Sequence, residues 1–92
     1  LKTVNLSELC QEILDRLKED EPHRKVTVHI VQNVEDKADP ILIRSVLENL
    51  LGNAWKFTQS VPEPVIEFGV QHTDGQTLYF VKDNGVGFDM AY

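Results

Sequence analysis

The hydrophobic residues of this chain follow the period of an α-helix in two stretches. In residues 41–58 they recur every three or four positions and define one apolar face: Leu42, Val46, Leu47, Leu50, Leu51, Ala54 and Trp55. Asp39 and Pro40 precede this stretch and suit the N-cap and the first helical position. A second helix is predicted from its N-cap at Ser7 to about Glu19, with one apolar face: Leu9, Ile13, Leu14 and Leu17.

Three other stretches alternate apolar and polar residues, which is the period of a half-buried strand. They are residues 25–32, 65–72 and 77–82. Between the last two lies Asp74-Gly75, a favoured pair for a two-residue hairpin turn. With a short extended segment around Val4, the order is strand, helix, strand, helix, strand, strand. This order predicts an α+β fold, a two-layer sandwich in which both helices pack on one face of a mixed sheet.

Composition narrows the class of protein. Ninety-two residues are enough for one small domain. A formal net charge of -6 without a basic stripe argues against nucleic acid as a partner. The single cysteine, Cys10, cannot form an internal disulfide and indicates a reducing compartment. No apolar run approaches the length of a membrane span, so we expect a cytoplasmic domain, whose parent protein could still be membrane-anchored.

The long helix also carries a row of polar residues. Asn49 and Asn53 are four positions apart and Lys56 follows three further on, so all three share one side of the helix. Each residue alone would suit the edge of a solvated face. Asparagine is a poor helix former, however, and two of them inside an apolar helix suggest a role beyond local structure.

A second motif lies in the segment VKDNGVGFDM, where Asp83 precedes Gly85 and Gly87. The pair Asn84-Gly85 could form a hairpin turn, but little chain follows Gly87 for a returning strand. The segment lacks the third glycine of a dinucleotide-binding fingerprint, and the chain contains no Gly-Lys-Ser/Thr of a P-loop.

Two segments resemble motifs of the ATP-binding domains of sensor histidine kinases. The N box is matched by LENLLGNAWKFT, and the first glycine box, which follows it in the chain, is matched by VKDNGVGFDM. These domains belong to the superfamily that also holds type II topoisomerases, mismatch-repair ATPases and the ninety-kilodalton heat-shock chaperones. The resemblance covers residues 1–92 and implies the N-terminal part of a Bergerat-type fold. The ATP lid and second glycine box would follow Tyr92, and the helical domain with the phospho-accepting histidine would precede Leu1.

The resemblance implies a role in binding phosphate and metal for each residue of the polar row. Asn53 would be the Mg²⁺ ligand, Asn49 an accompanying contact to phosphate or metal, and Lys56 a contact to phosphate. Magnesium prefers oxygen ligands and retains several waters, so one carboxamide oxygen with phosphate oxygens is a suitable set. An ammonium group supplies a point charge for phosphate.

The glycine box would bind the base. Asp83 would accept the exocyclic amine of adenine, which favours ATP over GTP because guanine offers a carbonyl there. Gly85 and Gly87 would let the backbone approach the purine and adopt a positive φ where needed.

Position 49 distinguishes the branches of the superfamily. The hydrolysing branches have a water-activating glutamate where this chain has Asn49, which cannot accept a proton at neutral pH. Glu48 is turned by about 100° from the row, and we interpret it as a solvated or structural carboxylate. The expected activity is therefore transfer of the γ-phosphoryl group of ATP to a histidine, with a response regulator as the next acceptor.

Two alternative functions and three further expectations follow from the same residues. A nucleotide-free interaction domain of the same fold and an ATP-hydrolysing relative are the competing functions. The 92 residues alone are expected to bind ATP weakly or not at all and not to phosphorylate themselves. If family elements are missing, an exposed sheet edge favours a homodimer.

Overall fold

The computed structural model describes residues 1–85 and the backbone of residues 88–91. The elements in chain order are β1 (Lys2–Asn5), α1 (Leu6–Asp20), β2 (Thr27–Ile30), β3 (Glu35–Ala38), α2 (Pro40–Phe57), β4 (Val65–Thr73), β5 (Gln76–Asp83) and β6 (Phe88–Ala91). Strands β2, β4, β5 and β6 form one sheet in that order, while β1 pairs with β3 alone. The β2–β4 pair is parallel, and β4–β5 and β5–β6 are antiparallel. The mixed sheet confirms the predicted α+β class.

Both helices pack on one face of the four-stranded sheet. Ile66 and Phe68 of β4 and Val81 of β5 point to this face and are at most 2% exposed. They meet the buried side chains of the helices: Leu6, Leu9, Cys10, Ile13, Leu14, Leu47, Leu51, Ala54 and Trp55. The two-layer arrangement follows from the single apolar stripe on each helix, which must be covered by the sheet.

Helix α2 begins and ends close to the predicted positions. Asp39 is its N-cap and accepts the backbone N–H groups of Ile41 at 2.9 Å and Leu42 at 3.3 Å. Pro40 occupies the first turn. The predicted apolar face is buried in the later turns, whereas Leu42 is 64% exposed because the first turn extends beyond the core.

The start of α1 differs from the prediction, because Asn5 and not Ser7 is the N-cap. The Asn5 Oδ1 atom accepts the backbone N–H of Glu8 at 2.9 Å. Ser7 is buried, and its hydroxyl donates to the carbonyl of Val31 at 2.5 Å and accepts the N–H of Val34 at 3.0 Å. Ser7 therefore ties the helix to the loop after β2, a role that its local sequence does not reveal.

The strands were predicted less accurately than the helices. Strand β2 covers only the middle of the predicted stretch 25–32, and β3 was missed because its sequence, EDKA, has no apolar alternation. Strand β3 exists because it pairs with β1 from Lys2↔Ala38 to Asn5↔Glu35. Tyr79 also reaches this small ladder, since its hydroxyl donates to Asp36 Oδ2 at 2.5 Å.

The two predicted hairpin signals have different outcomes. Asp74 and Gly75 have φ values of 52° and 75° and join β4 to β5 as predicted. The argument against a strand after the glycine box is wrong, because β6 returns antiparallel to β5 from Lys82↔Phe88 to Tyr79↔Ala91. Four residues are enough for this short ladder.

Strands β2 and β6 form the outer edges of the four-stranded sheet. Association through such an edge stays a prediction. Within the described residues, neither helix combines the length and the apolar character needed to cross a bilayer.

The buried face of α2 should dominate stability. We expect Leu51→Ala to lower the free energy of unfolding by about 2–5 kcal/mol, because Leu51 is fully buried and its truncation leaves a cavity. The matched control is Leu42→Ala on the same helix, for which exposure predicts a change below about 0.5 kcal/mol. Urea denaturation of the unmodified protein and the two variants measures both changes. Equal losses of unfolding free energy in the two variants would contradict the packing described above.

Candidate functional site

The polar row on α2 forms as the sequence predicts. The Asn53 Nδ2 group donates to Asn49 Oδ1 at 3.1 Å, which joins the two carboxamides along the helix. Asn53 is half-buried, and Asn49 and Lys56 are exposed. Three polar groups are thus presented along one side of a helix whose other side is core.

Glu48 lies away from this row. It lines a small cavity of about 210 Å³ together with residues of α1: Ile13, Arg16, Leu17 and Asp20. This position agrees with the interpretation of Glu48 as a carboxylate outside the candidate site.

The glycine box meets the C-terminal end of α2. Asp83 is the last residue of β5, is half-buried, and accepts the backbone N–H of Gly85 through Oδ1 at 2.8 Å. A Cβ atom at Gly85 would lie 2.3 Å from the carbonyl oxygen of Phe57. Only glycine permits this approach of the two backbones. The N-box helix and the aspartate therefore lie on the same side of the sheet.

This contact revises the predicted role of Gly85. We expected its missing Cβ to make room for a purine, but the position where the Cβ would be is occupied by the backbone of Phe57. The φ angle of Gly85 is not positive either. Among the described glycines, a positive φ angle occurs at Gly75. Gly87 lies outside the described residues, so its predicted role stays a prediction.

Asn84 anchors the glycine box to the start of β4. Its Oδ1 atom accepts the N–H of Val65 at 2.9 Å, and its Nδ2 group donates to the carbonyl of Glu63 at 2.8 Å. Sequence reasoning missed this role, because an Asn-Gly pair indicates a turn and carries no signal about a partner about twenty positions earlier.

The last turn of α2 is fixed by residues from the loop after α1. Arg24 donates through Nη1 to the carbonyl of Trp55 at 2.6 Å and through Nη2 to Thr58 Oγ1 at 2.8 Å. Its guanidinium carbon lies 4.5 Å from the centre of the Trp55 ring, and the indole N–H donates to Glu21 Oε1 at 2.9 Å. The sequence shows no periodicity in this loop, so the cluster was not predicted.

The pKa values of Cys10, Tyr79 and Asp36, which lie outside the candidate site, are shifted. Burial raises the pKa of the Cys10 thiol to about 12, so this side chain stays a neutral core residue. The pKa of Tyr79 is raised to about 12, mainly by burial and to a lesser extent by its hydrogen bond to Asp36. The same hydrogen bond lowers the pKa of Asp36. These two groups hold β3 against the sheet.

A larger depression lies elsewhere on the domain. It has a volume of about 670 Å³, runs along β2, and is lined by residues that include His29, Glu67 and Phe80. Among the predicted site residues that the structure describes, none lines it. The candidate site is defined instead by the donors and acceptors of α2 and the glycine box.

The fold is similar to that of part of a sensor histidine kinase. A mycobacterial sensor histidine kinase, MprB, superposes on 94% of this chain with a TM-score of 0.68 and 20% sequence identity. The methanogenesis regulatory histidine kinase FilI of Methanothrix harundinacea (strain 6Ac) is 38% identical over 53 residues, which are 58% of this chain. Together they support the resemblance to a histidine-kinase ATP-binding domain that the two motifs predict.

The relationship covers only part of each relative. The chain spans 55% of the MprB chain, and the aligned segment is 6% of FilI. No protein-family model matches this chain.

The contact between the two motifs can be tested by adding one methyl group. We expect Gly85→Ala to lower the free energy of unfolding by about 1–3 kcal/mol, because the new Cβ would overlap the rigid backbone of Phe57. Gly52→Ala on α2 is the control. Nothing lies within 4 Å of its Cβ position, so it should be neutral or stabilise the helix by up to about 1 kcal/mol.

Urea denaturation of both variants measures the difference. A Gly85→Ala chain as stable as the starting protein would show that the glycine box does not depend on close approach to α2.

Proposed function

We propose that this chain is the N-terminal part of the ATP-binding domain of a sensor histidine kinase, with Mg-ATP bound between α2 and the glycine box. The observation that carries the proposal is the contact between Gly85 and the Phe57 carbonyl. Because of it, the polar row of the N box and the adenine-selecting aspartate belong to one surface. Residues 1–92 form one partial domain in this proposal, without the lid and the second glycine box.

The phosphate end of the nucleotide is assigned to the polar row. The bond from Asn53 to Asn49 uses the amide nitrogen of Asn53, so it orients the side chain without occupying its carbonyl oxygen. That oxygen suits Mg²⁺, which favours oxygen ligands and completes its shell with phosphate oxygens and water. Asn49 accompanies it as a phosphate or metal contact, and the exposed Lys56 ammonium neutralises phosphate charge.

The adenine end is assigned to Asp83. A carboxylate has two oxygens and accepts several hydrogen bonds, so the bond from the Gly85 N–H is compatible with a second donor. The bond fixes the orientation of the carboxylate, and the exocyclic amine of adenine is the group that such an acceptor recognises. Gly85 supports this arrangement by packing on α2, and Gly87 is proposed to approach the nucleotide.

Transfer of the phosphoryl group is favoured over hydrolysis. Asn49 stands where a water-activating glutamate is needed, and Glu48 lies beside α1. A neutral imidazole needs little deprotonation to attack phosphorus, so positioning and charge stabilisation suffice for transfer. We propose that the acceptor is a histidine on a helical domain of the parent kinase, followed by a response regulator, and that this ATP-binding portion is cytoplasmic whether or not the parent is membrane-anchored.

The site residues predict distinct effects of substitution in the full-length kinase. Asp83→Asn replaces one carboxylate oxygen by an NH2 group; with the retained oxygen bonded to the Gly85 N–H, a donor would face the adenine amine. Asn53→Ala removes the proposed magnesium ligand. Each should weaken Mg-ATP binding by about tenfold or more, equivalent to about 1.4 kcal/mol. Glu48→Gln is the control and should bind Mg-ATP as the unmodified kinase does.

Isothermal titration with Mg-ATP and Mg-GTP measures these affinities. Tight ATP binding that is insensitive to Asp83→Asn would refute the adenine assignment. Absence of nucleotide binding by the full-length protein would favour an interaction domain, and rapid phosphate release would favour an ATP-hydrolysing relative.

A separate prediction concerns the 92 residues alone. We expect them to bind Mg-ATP weakly or not at all and not to phosphorylate themselves, because the resemblance assigns further triphosphate contacts to a lid and a second glycine box. Isothermal titration of the 92-residue chain that gives micromolar affinity would contradict this expectation.

A further inference from the structure

We propose that Arg24 is a positioning residue for nucleotide binding, because it fixes the end of α2 and thereby the distance between the two halves of the site. This inference rests on the proposed function. Arg24 itself belongs to neither motif and lies in the loop between α1 and β2, about thirty positions before the residues that it binds.

The guanidinium of Arg24 makes three kinds of contact with the last turn of α2. It donates to the Trp55 carbonyl at 2.6 Å and to Thr58 Oγ1 at 2.8 Å, and it lies over the Trp55 ring at 4.5 Å. A planar fork can serve two acceptors and stack on an aromatic ring at the same time, which an ammonium group cannot.

The end of a helix needs such a partner. Its last carbonyl groups have no helical N–H donors, and the helix dipole places partial negative charge there. Thr58 is fully buried, and its hydroxyl also donates to the Ala54 carbonyl at 2.9 Å. Arg24 supplies both the hydrogen bonds and the positive charge that this buried helix end requires.

The fixed turn carries and supports the candidate site. Lys56 and Phe57 lie between Trp55 and Thr58, the two residues that Arg24 binds. The Phe57 carbonyl is the surface on which Gly85 packs. A shift of this turn would therefore move the phosphate-binding row relative to the glycine box.

Besides its contact with Phe57, the adenine half has an anchor that does not involve α2. Asn84 binds the backbone of Glu63 and Val65 at the start of β4, and Asp83 binds the N–H of Gly85. Loss of Arg24 should therefore leave the adenine half in place and misplace the metal and phosphate half. A ligand that contacts both halves should therefore lose more affinity than a ligand that contacts only the adenine half.

The experiment compares Mg-ATP with adenosine in the full-length kinase. We expect Arg24→Met to weaken Mg-ATP binding by about tenfold and adenosine binding by less than about twofold. Arg24→Lys keeps the charge without the fork, so its loss of Mg-ATP affinity should be intermediate. Titration calorimetry and chemical-shift titration measure the affinities of the kinase for the two ligands.

Arg44→Met is the matched control. Arg44 lies on α2, the helix that Arg24 binds, and its described ion pair is with exposed Glu12 at 3.2 Å. Such surface pairs contribute little, so this variant should bind both ligands as the unmodified kinase does. Thermal unfolding of each variant sets an assay temperature at which all are folded.

The outcomes separate this inference from the proposed function. If the unmodified kinase binds Mg-ATP and Asp83→Asn weakens it, the function stands. In that case, unchanged Mg-ATP affinity in Arg24→Met, or equal losses for both ligands, overturns the positioning role. If Arg24→Met does not fold, Arg24→Lys serves for the same comparison. The positioning role is then overturned if Arg24→Lys binds both ligands as tightly as the unmodified kinase does.

Discussion

The close approach of Gly85 to the last carbonyl group of α2 is the constraint on which the candidate site depends. A Cβ atom at position 85 would lie 2.3 Å from the Phe57 oxygen, so the loop after β5 can reach the helix only through glycine. Asp83 ends β5 directly before this loop and the helix carries Asn53, so the contact brings the two halves of the candidate site together. A backbone contact between two distant segments thus defines the site more directly than any single side chain.

Helix α2 serves two purposes with two faces. Its apolar face is buried against α1 and the sheet and supplies much of the core of a small domain. Its polar row is joined by the bond between Asn53 and Asn49. Because core packing fixes the rotation of the helix, it also fixes the direction in which the carboxamides point. Arg24 adds what the core does not provide, a partner for the buried C-terminal end.

Much of the architecture could be predicted because it is encoded locally. The helices follow from apolar spacing, the β4–β5 hairpin from Asp74-Gly75, and the start of α2 from Asp39. The errors fall where the partner is remote in sequence. Ser7 suits an N-cap but binds the loop after β2, and β3 has no strand pattern but pairs with β1. Local propensity cannot identify such partners, because their contribution arises only when the chain has folded.

The sequence by itself determined the helices, the α+β class and the residue types of both motifs, since these depend on periodicity and on the chemistry of side chains. Only the tertiary structure decided that Gly85 serves packing against α2, that Glu48 lies beside α1, and that Arg24 binds the helix end. The physical reason is that these roles depend on distances between residues far apart in the chain. Such distances are set by how the helices and the sheet pack together, and no local pattern records them.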